Sequence, residues 1–126
     1  MKITLTPQES EMYFHNALCN SLDWICDGYG LQLETEALDY KEAGLKLKNA
    51  CYEDVIMQIL RDGHSITLVD VEGDGDMTRS INLQDIHERV QHTPAEHLMN
   101  MVDENDDAET GDVILQTVFF SEVIFG

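Results

Sequence analysis

Residues His64 to Leu83, HSITLVDVEGDGDMTRSINL, decide how the chain is read. Two β-rich segments, Ser65–Val71 and Met77–Leu83, flank the run Glu72-Gly73-Asp74-Gly75-Asp76, and that arrangement predicts a β-hairpin. Gly73 and Gly75 tolerate the positive φ that tight turns demand and β-branched residues resist. The register stays open at this level. A Glu72–Gly75 loop puts Ile66, Leu68, Met77, Ile81 and Leu83 on one face, whereas a Gly73–Gly75 loop puts Val69 and Val71 there in place of Ile66 and Leu68. A one-residue slip exchanges the faces of one strand, so the sequence does not choose. Either way both faces carry apolar residues, which asks for helices over at least one of them.

Outward from the hairpin the patterns are helical. Thr6-Pro7-Gln8-Glu9 joins a capping threonine, a proline at the first helical position and a capping-box glutamate. Phe14, Ala17, Leu18, Leu22 and Ile25 then recur at helical spacing, predicting a helix from Pro7 to about Asp27 that Gly28-Tyr29-Gly30 stops. Leu31–Glu34 alternates as a brief strand would, and residues 2–5 are a second short-strand candidate. Asp39 and Glu42 resemble a cap opening a short helix through Lys48. A helix from about Ala50 to Asp62 has Cys51, Val55, Ile59 and Leu60 as its stripe and ends at Gly63.

Beyond the hairpin, Asn82 caps a short helix to about His92 with Ile86 and Val90 inward. Thr93-Pro94-Ala95-Glu96 repeats the earlier start, and Ala95, Leu98, Met99 and Val102 fit i, i+3, i+4, i+7. The most apolar segment is Val113–Phe125, VILQTVFFSEVIF. Its β-branched and aromatic content suits a strand, while its length and the polar lead-in from Asp107 suit a buried helix, which is the reading favoured. The expected fold class is α+β: one mostly helical domain, residues 1–126, packed around a central β-hairpin with one or two further short strands.

The chain has 126 residues, enough for one core that buries about two-thirds of the unfolded surface. Charge is its most unusual property. Twenty-five acids against seven bases give −18, and residues 64–126 hold 14 acids, no lysine and only Arg79 and Arg89. Such a field repels nucleic acid and anionic membrane surfaces, whose recognition calls for Lys and Arg clusters. Basic proteins and cations are the partners it favours; the plain alternative is acidity that serves solubility alone. Cys19, Cys26 and Cys51 form no C-x-x-C pair, no leader is visible, and no apolar run nears the ~18 residues that span a bilayer. A reducing cytoplasm is the expected compartment.

Several constellations invite a chemical reading. Asp70, Glu72, Asp74 and Asp76 fall at alternate positions of a calcium-type loop with Gly75 at the sharp turn. Ile81 replaces the closing glutamate, and strands flank the run where the motif needs helices, so a solvated turn is the stronger expectation. His15 and Cys19 sit four apart on one helix face, but a zinc site needs two more ligands and Cys26 lies two turns on. His87, His92 and His97 recur every five residues, which scatters them around a helix; a His92–Glu96 acid–base pair is the remaining idea. No phosphate-binding glycine loop, nucleophile elbow or H-E-x-x-H is present. No enzyme activity and no cofactor is therefore expected.

The acids Asp103, Glu104, Asp106 and Asp107 open a run through Asp112, and with Asp74 and Asp76 they form the candidate partner-binding set. The leading expectation is a small, acidic, non-enzymatic protein-interaction module with a basic partner. A charge-mimic inhibitor of a nucleic-acid-binding protein, of phage or mobile-element type, is one alternative; a cation-binding regulatory domain is the other. Val113–Phe125 is the segment through which a homodimer would form.

Overall fold

In the computed structural model, which describes residues 4–104 and 107–125, the capping box at Thr6 works as its residues imply. Thr6 Oγ1 accepts from the Glu9 amide at 3.1 Å and Glu9 Oε1 from the Thr6 amide at 2.9 Å. Helix α1 runs Pro7–Tyr29 and ends at Gly30, whose φ of 69° is the left-handed conformation glycine adopts without a Cβ penalty. Phe14, Ala17, Leu18, Leu22 and Ile25 are all buried, as their spacing predicts.

Strand β1 (Leu31–Glu34) follows, then α2 (Ala37–Leu45) and α3 (Tyr52–Arg61). α2 opens two residues before the predicted Asp39, its N-cap Glu36 makes no side-chain capping bond, and it stops at Leu45, short of Lys48. Cys51 leaves the apolar stripe assigned to it: it is the exposed N-cap of α3, and its amide donates to Asp54 Oδ2 at 3.3 Å.

Strands β2 (Ile66–Asp70) and β3 (Arg79–Ile81) are the predicted hairpin, trimmed at both ends. Ile66 pairs with Ile81 and Leu68 with Arg79, the register implied by the Glu72–Gly75 loop. β1 pairs antiparallel on the other side of β2, Leu31 opposite Asp70 and Leu33 opposite Leu68, so the hairpin supplies the middle strand of a three-stranded sheet. Leu31, Leu33, Ile66, Leu68 and Ile81 turn toward the helices. The two described residues of the early strand candidate, Thr4 and Leu5, belong to no strand; the remainder lies outside the described residues.

Helix α4 (Leu83–Arg89) begins at the Asn82 cap, which accepts from the Asp85 amide at 3.0 Å, and tightens into a 3-10 turn over Val90–His92. α5 (Ala95–Val102) departs from expectation twice. Thr93 does not repeat the capping of Thr6: it is buried, and its hydroxyl has no hydrogen-bond partner among the described residues. Leu98 and Met101 face inward, whereas Met99 and Val102 are about half exposed. α6 (Ala108–Phe120) starts where Asp107 Oδ1 accepts from the Thr110 amide at 2.9 Å.

α1 and α6 make the most extensive helix pair, with α6 also against β3 and α3 against β2. Close approach is built in at Gly111, where a Cβ would collide with Ser21 Oγ and press on the Ala17 backbone. Phe14 and Phe119 meet inside that interface with ring centres 6.2 Å apart. Among the described residues no helix is long and apolar enough to cross a membrane.

Candidate functional site

The acids of the hairpin tip do not act as one group. Asp70 faces its own turn: Oδ1 accepts from the Gly73 amide at 2.8 Å and Oδ2 from the Met77 amide at 3.4 Å. It therefore ties the turn together from within, while Asp74 and Asp76 are exposed and Glu72, also exposed, lays its side chain against Gly30. No group of three or more His, Cys, Asp and Glu side chains among the described residues has the arrangement of a metal site.

The second acidic set is also divided. Asp103 and Glu104 are exposed just past α5, and Asp106 lies outside the described residues. Asp107 is engaged in capping α6, and the backbone bond from Thr110 leads the influences that hold its carboxyl below the usual range. Of Val113–Phe125, residues Ile114, Leu115, Val118 and Phe119 are buried within the molecule, and Val123 is 46% exposed.

The histidine and cysteine candidates separate. His15 Nε2 lies 3.0 Å from Asp54 Oδ1 without the alignment of a hydrogen bond. His87 contacts Glu11, and His97 bonds Thr110 Oγ1 at 3.1 Å. Glu96 approaches His97 at 3.8 Å, so the His92–Glu96 pairing is replaced by its neighbour. The three thiols are free, and burial leads the effects that push those of Cys19 and Cys26 above their ordinary value. Such thiols are held as the weakly nucleophilic neutral form.

A different place gathers aromatic and acidic groups. Trp24 stands 57% exposed on α1, one position off the buried stripe that continues to Ile25. It borders a broad shallow opening with Asn20, Asp23, Asp27 and Tyr29, and this continues into a depression of about 370 Å³. Tyr29, Glu109, Asp112, Gln116 and Phe125 line that depression, with Val113 and Val123. The Tyr29 and Phe125 rings stack at 4.5 Å with 9° between planes, and Phe120 meets Phe125 edge-on at 5.9 Å.

Gln116 holds this corner together. It is buried; its Oε1 accepts from the amides of Ile124 and Phe125, both at 2.8 Å, and its Nε2 donates to Phe125 O at 3.2 Å. The segment after α6 is thereby folded back so that Phe125 reaches Tyr29. Asp112 is tied in by Tyr29, whose hydroxyl donates to Oδ2 at 2.6 Å, and by Gln116 Nε2, which donates to Oδ1 at 2.7 Å. Burial first, then the bond to Asp112 and its charge, push the Tyr29 phenol above its ordinary value, so it remains a protonated donor at neutral pH.

Sequence reasoning passed over this corner, because its parts come from residues 20–29, 109–116 and 123–125. The available signal was Trp24 itself, a large apolar side chain off the helical stripe and near Asp23 and Asp27. A scan against protein-family models, a search of curated proteins and a search of solved structures each return no match for this chain.

Proposed function

We propose that this chain is a binding module for a basic segment of another protein. The observation that carries the reading is Trp24, more than half exposed beside Asp23 and Asp27 at the mouth of an aromatic-lined depression. An exposed indole anchors protein contacts because it buries a large area with little loss of rotamer freedom, and the carboxylates around it select a cationic partner. The net charge of −18 steers that partner in from a distance. This reading keeps the interaction module expected from composition and moves its contact face from Asp74, Asp76, Asp103, Glu104, Asp106 and Asp107 to α1.

Poly-L-lysine is the first probe, titrated by calorimetry. Binding should weaken steeply between about 20 and 200 mM salt, as screening shortens the reach of the carboxylates. The double reversal Asp23→Lys/Asp27→Lys should weaken it about tenfold, whereas Asp74→Lys/Asp76→Lys should change it little. Absent or salt-insensitive binding refutes the reading. Loss on reversing Asp74 and Asp76 alone returns the contact to the hairpin tip and favours charge mimicry.

A further inference from the structure

Asp112 is 8% exposed, yet among the described residues the donors that reach it, the Tyr29 hydroxyl and the Gln116 amide, are neutral. Among the described residues no Lys, Arg or His makes an ion pair with it. Burying a carboxylate without a countercharge is unfavourable, and each of its oxygens keeps lone-pair capacity beyond the one bond that the described residues give it. The same carboxylate lines the depression of about 370 Å³ beside Trp24, Tyr29 and Phe125, with Glu109 adding a second negative charge. Negative charge below aromatic walls is the complement of an organic cation.

Resting on the reading of the chain as a module for basic segments, we infer that this depression seats one arginine side chain of the partner, with its guanidinium against Asp112. Arginine fits better than lysine for three reasons. Its planar fork donates to a carboxylate that still has acceptor capacity, its face stacks on aromatic rings, and it is more weakly hydrated than an ammonium. Val113 and Val123 offer apolar contact for its aliphatic stem. Tyr29 and Gln116 are positioning residues here, since their bonds aim the Asp112 carboxylate.

Trp24 is the chain's single tryptophan, so its emission reports directly on this corner. The probes are short capped Gly/Ser peptides carrying one arginine, one lysine or one citrulline, the last an uncharged near-isostere of arginine. The arginine peptide should give a saturable change in Trp24 emission, the lysine peptide one about tenfold weaker, and the citrulline peptide none. Asp112→Asn should weaken the arginine peptide about tenfold or more. That substitution also touches Tyr29 and Gln116, so Trp24→Ala, followed by calorimetry, is the second variant; its side chain is 57% exposed and lies outside the buried core. Equal responses to arginine and citrulline, or an arginine affinity untouched by both variants, overturn the inference. If poly-L-lysine binds with the expected salt dependence while the arginine peptide leaves Trp24 unchanged, the arginine seat alone falls. If neither binds, the wider reading falls with it.

Discussion

Glu11 shows how much one side chain can join. Its carboxylate, 17% exposed, accepts from Arg61 Nε at 3.0 Å and meets His87 Nε2 at 2.9 Å, linking α1 to α3 and α4. Burial acts to raise its pKa, but the bonds from His87 and Arg61 outweigh it and hold the carboxyl below its ordinary 4.5. A folded-state value below the unfolded one means the stabilisation is complete above the unfolded value and lost as pH falls through the folded one. Glu11→Gln should therefore lower stability at neutral pH by about 1–2 kcal/mol, read from urea denaturation. The gap from the parent protein should close as pH is lowered from about 6 to 3. A gap independent of pH would show that the charge of Glu11 contributes nothing. Neither contact was legible in the chain, because Arg61 and His87 lie 50 and 76 residues from Glu11. The histidine spacing drew attention to His87 for the wrong neighbours.

Between elements, the α1–α6 contact depends on small residues. Gly111 is the fourth residue of α6, and glycine within a helix ordinarily weakens it by roughly 1 kcal/mol relative to alanine. Alanine should nevertheless be worse here, because its methyl meets Ser21, whose hydroxyl is committed to Ala108 O at 2.7 Å, and the backbone of Ala17 behind it. Gly111→Ala is expected to destabilise by about 1–3 kcal/mol and lower the melting temperature. Unchanged or increased stability would mean the two helices have room to spare. The stripe of α1 and the caps at Thr6, Asn82 and Asp107 were readable because each rests on residues a few positions apart. The inner face of α5 was not. Its apolar residues permit two faces, and the bonds from His97 and Asn100 to Thr110 accompany the one that turns Leu98 and Met101 inward.

At the scale of the whole molecule, Lys46, Arg61, Arg79 and Arg89 are engaged within the chain. Lys46 pairs with Asp62 at 2.8 Å, Arg61 with Glu11, and Arg89 bridges Asp85 and the Val118 carbonyl. Arg79 donates to the carbonyls of Asp76 and Thr78 and lies 5.8 Å from the centre of the Phe120 ring. The remaining acids repel one another across the surface. Added salt should screen this repulsion, so the melting temperature should rise by a few degrees between about 10 and 200 mM sodium chloride. A fall would mean that these ion pairs outweigh the net field.

The sequence by itself determined the elements whose signals are local: a long capped first helix, a hairpin at a glycine-rich turn and a strongly negative molecule, while the apolar last segment stayed open between strand and helix until the structure made 108–120 a helix. Those features follow from periodicity, capping and turn chemistry, which operate within a few residues of chain. Tertiary structure decided the hairpin register, the addition of β1 beside β2, and the meeting of Trp24, Tyr29, Asp112 and Phe125. The register was settled when the buried face chose Ile66 and Leu68 over Val69 and Val71, a choice that exists only once helices cover one side of the sheet. The aromatic and acidic corner arose because the packing of α1 on α6 brings together segments more than 80 residues apart, and no local rule encodes that proximity.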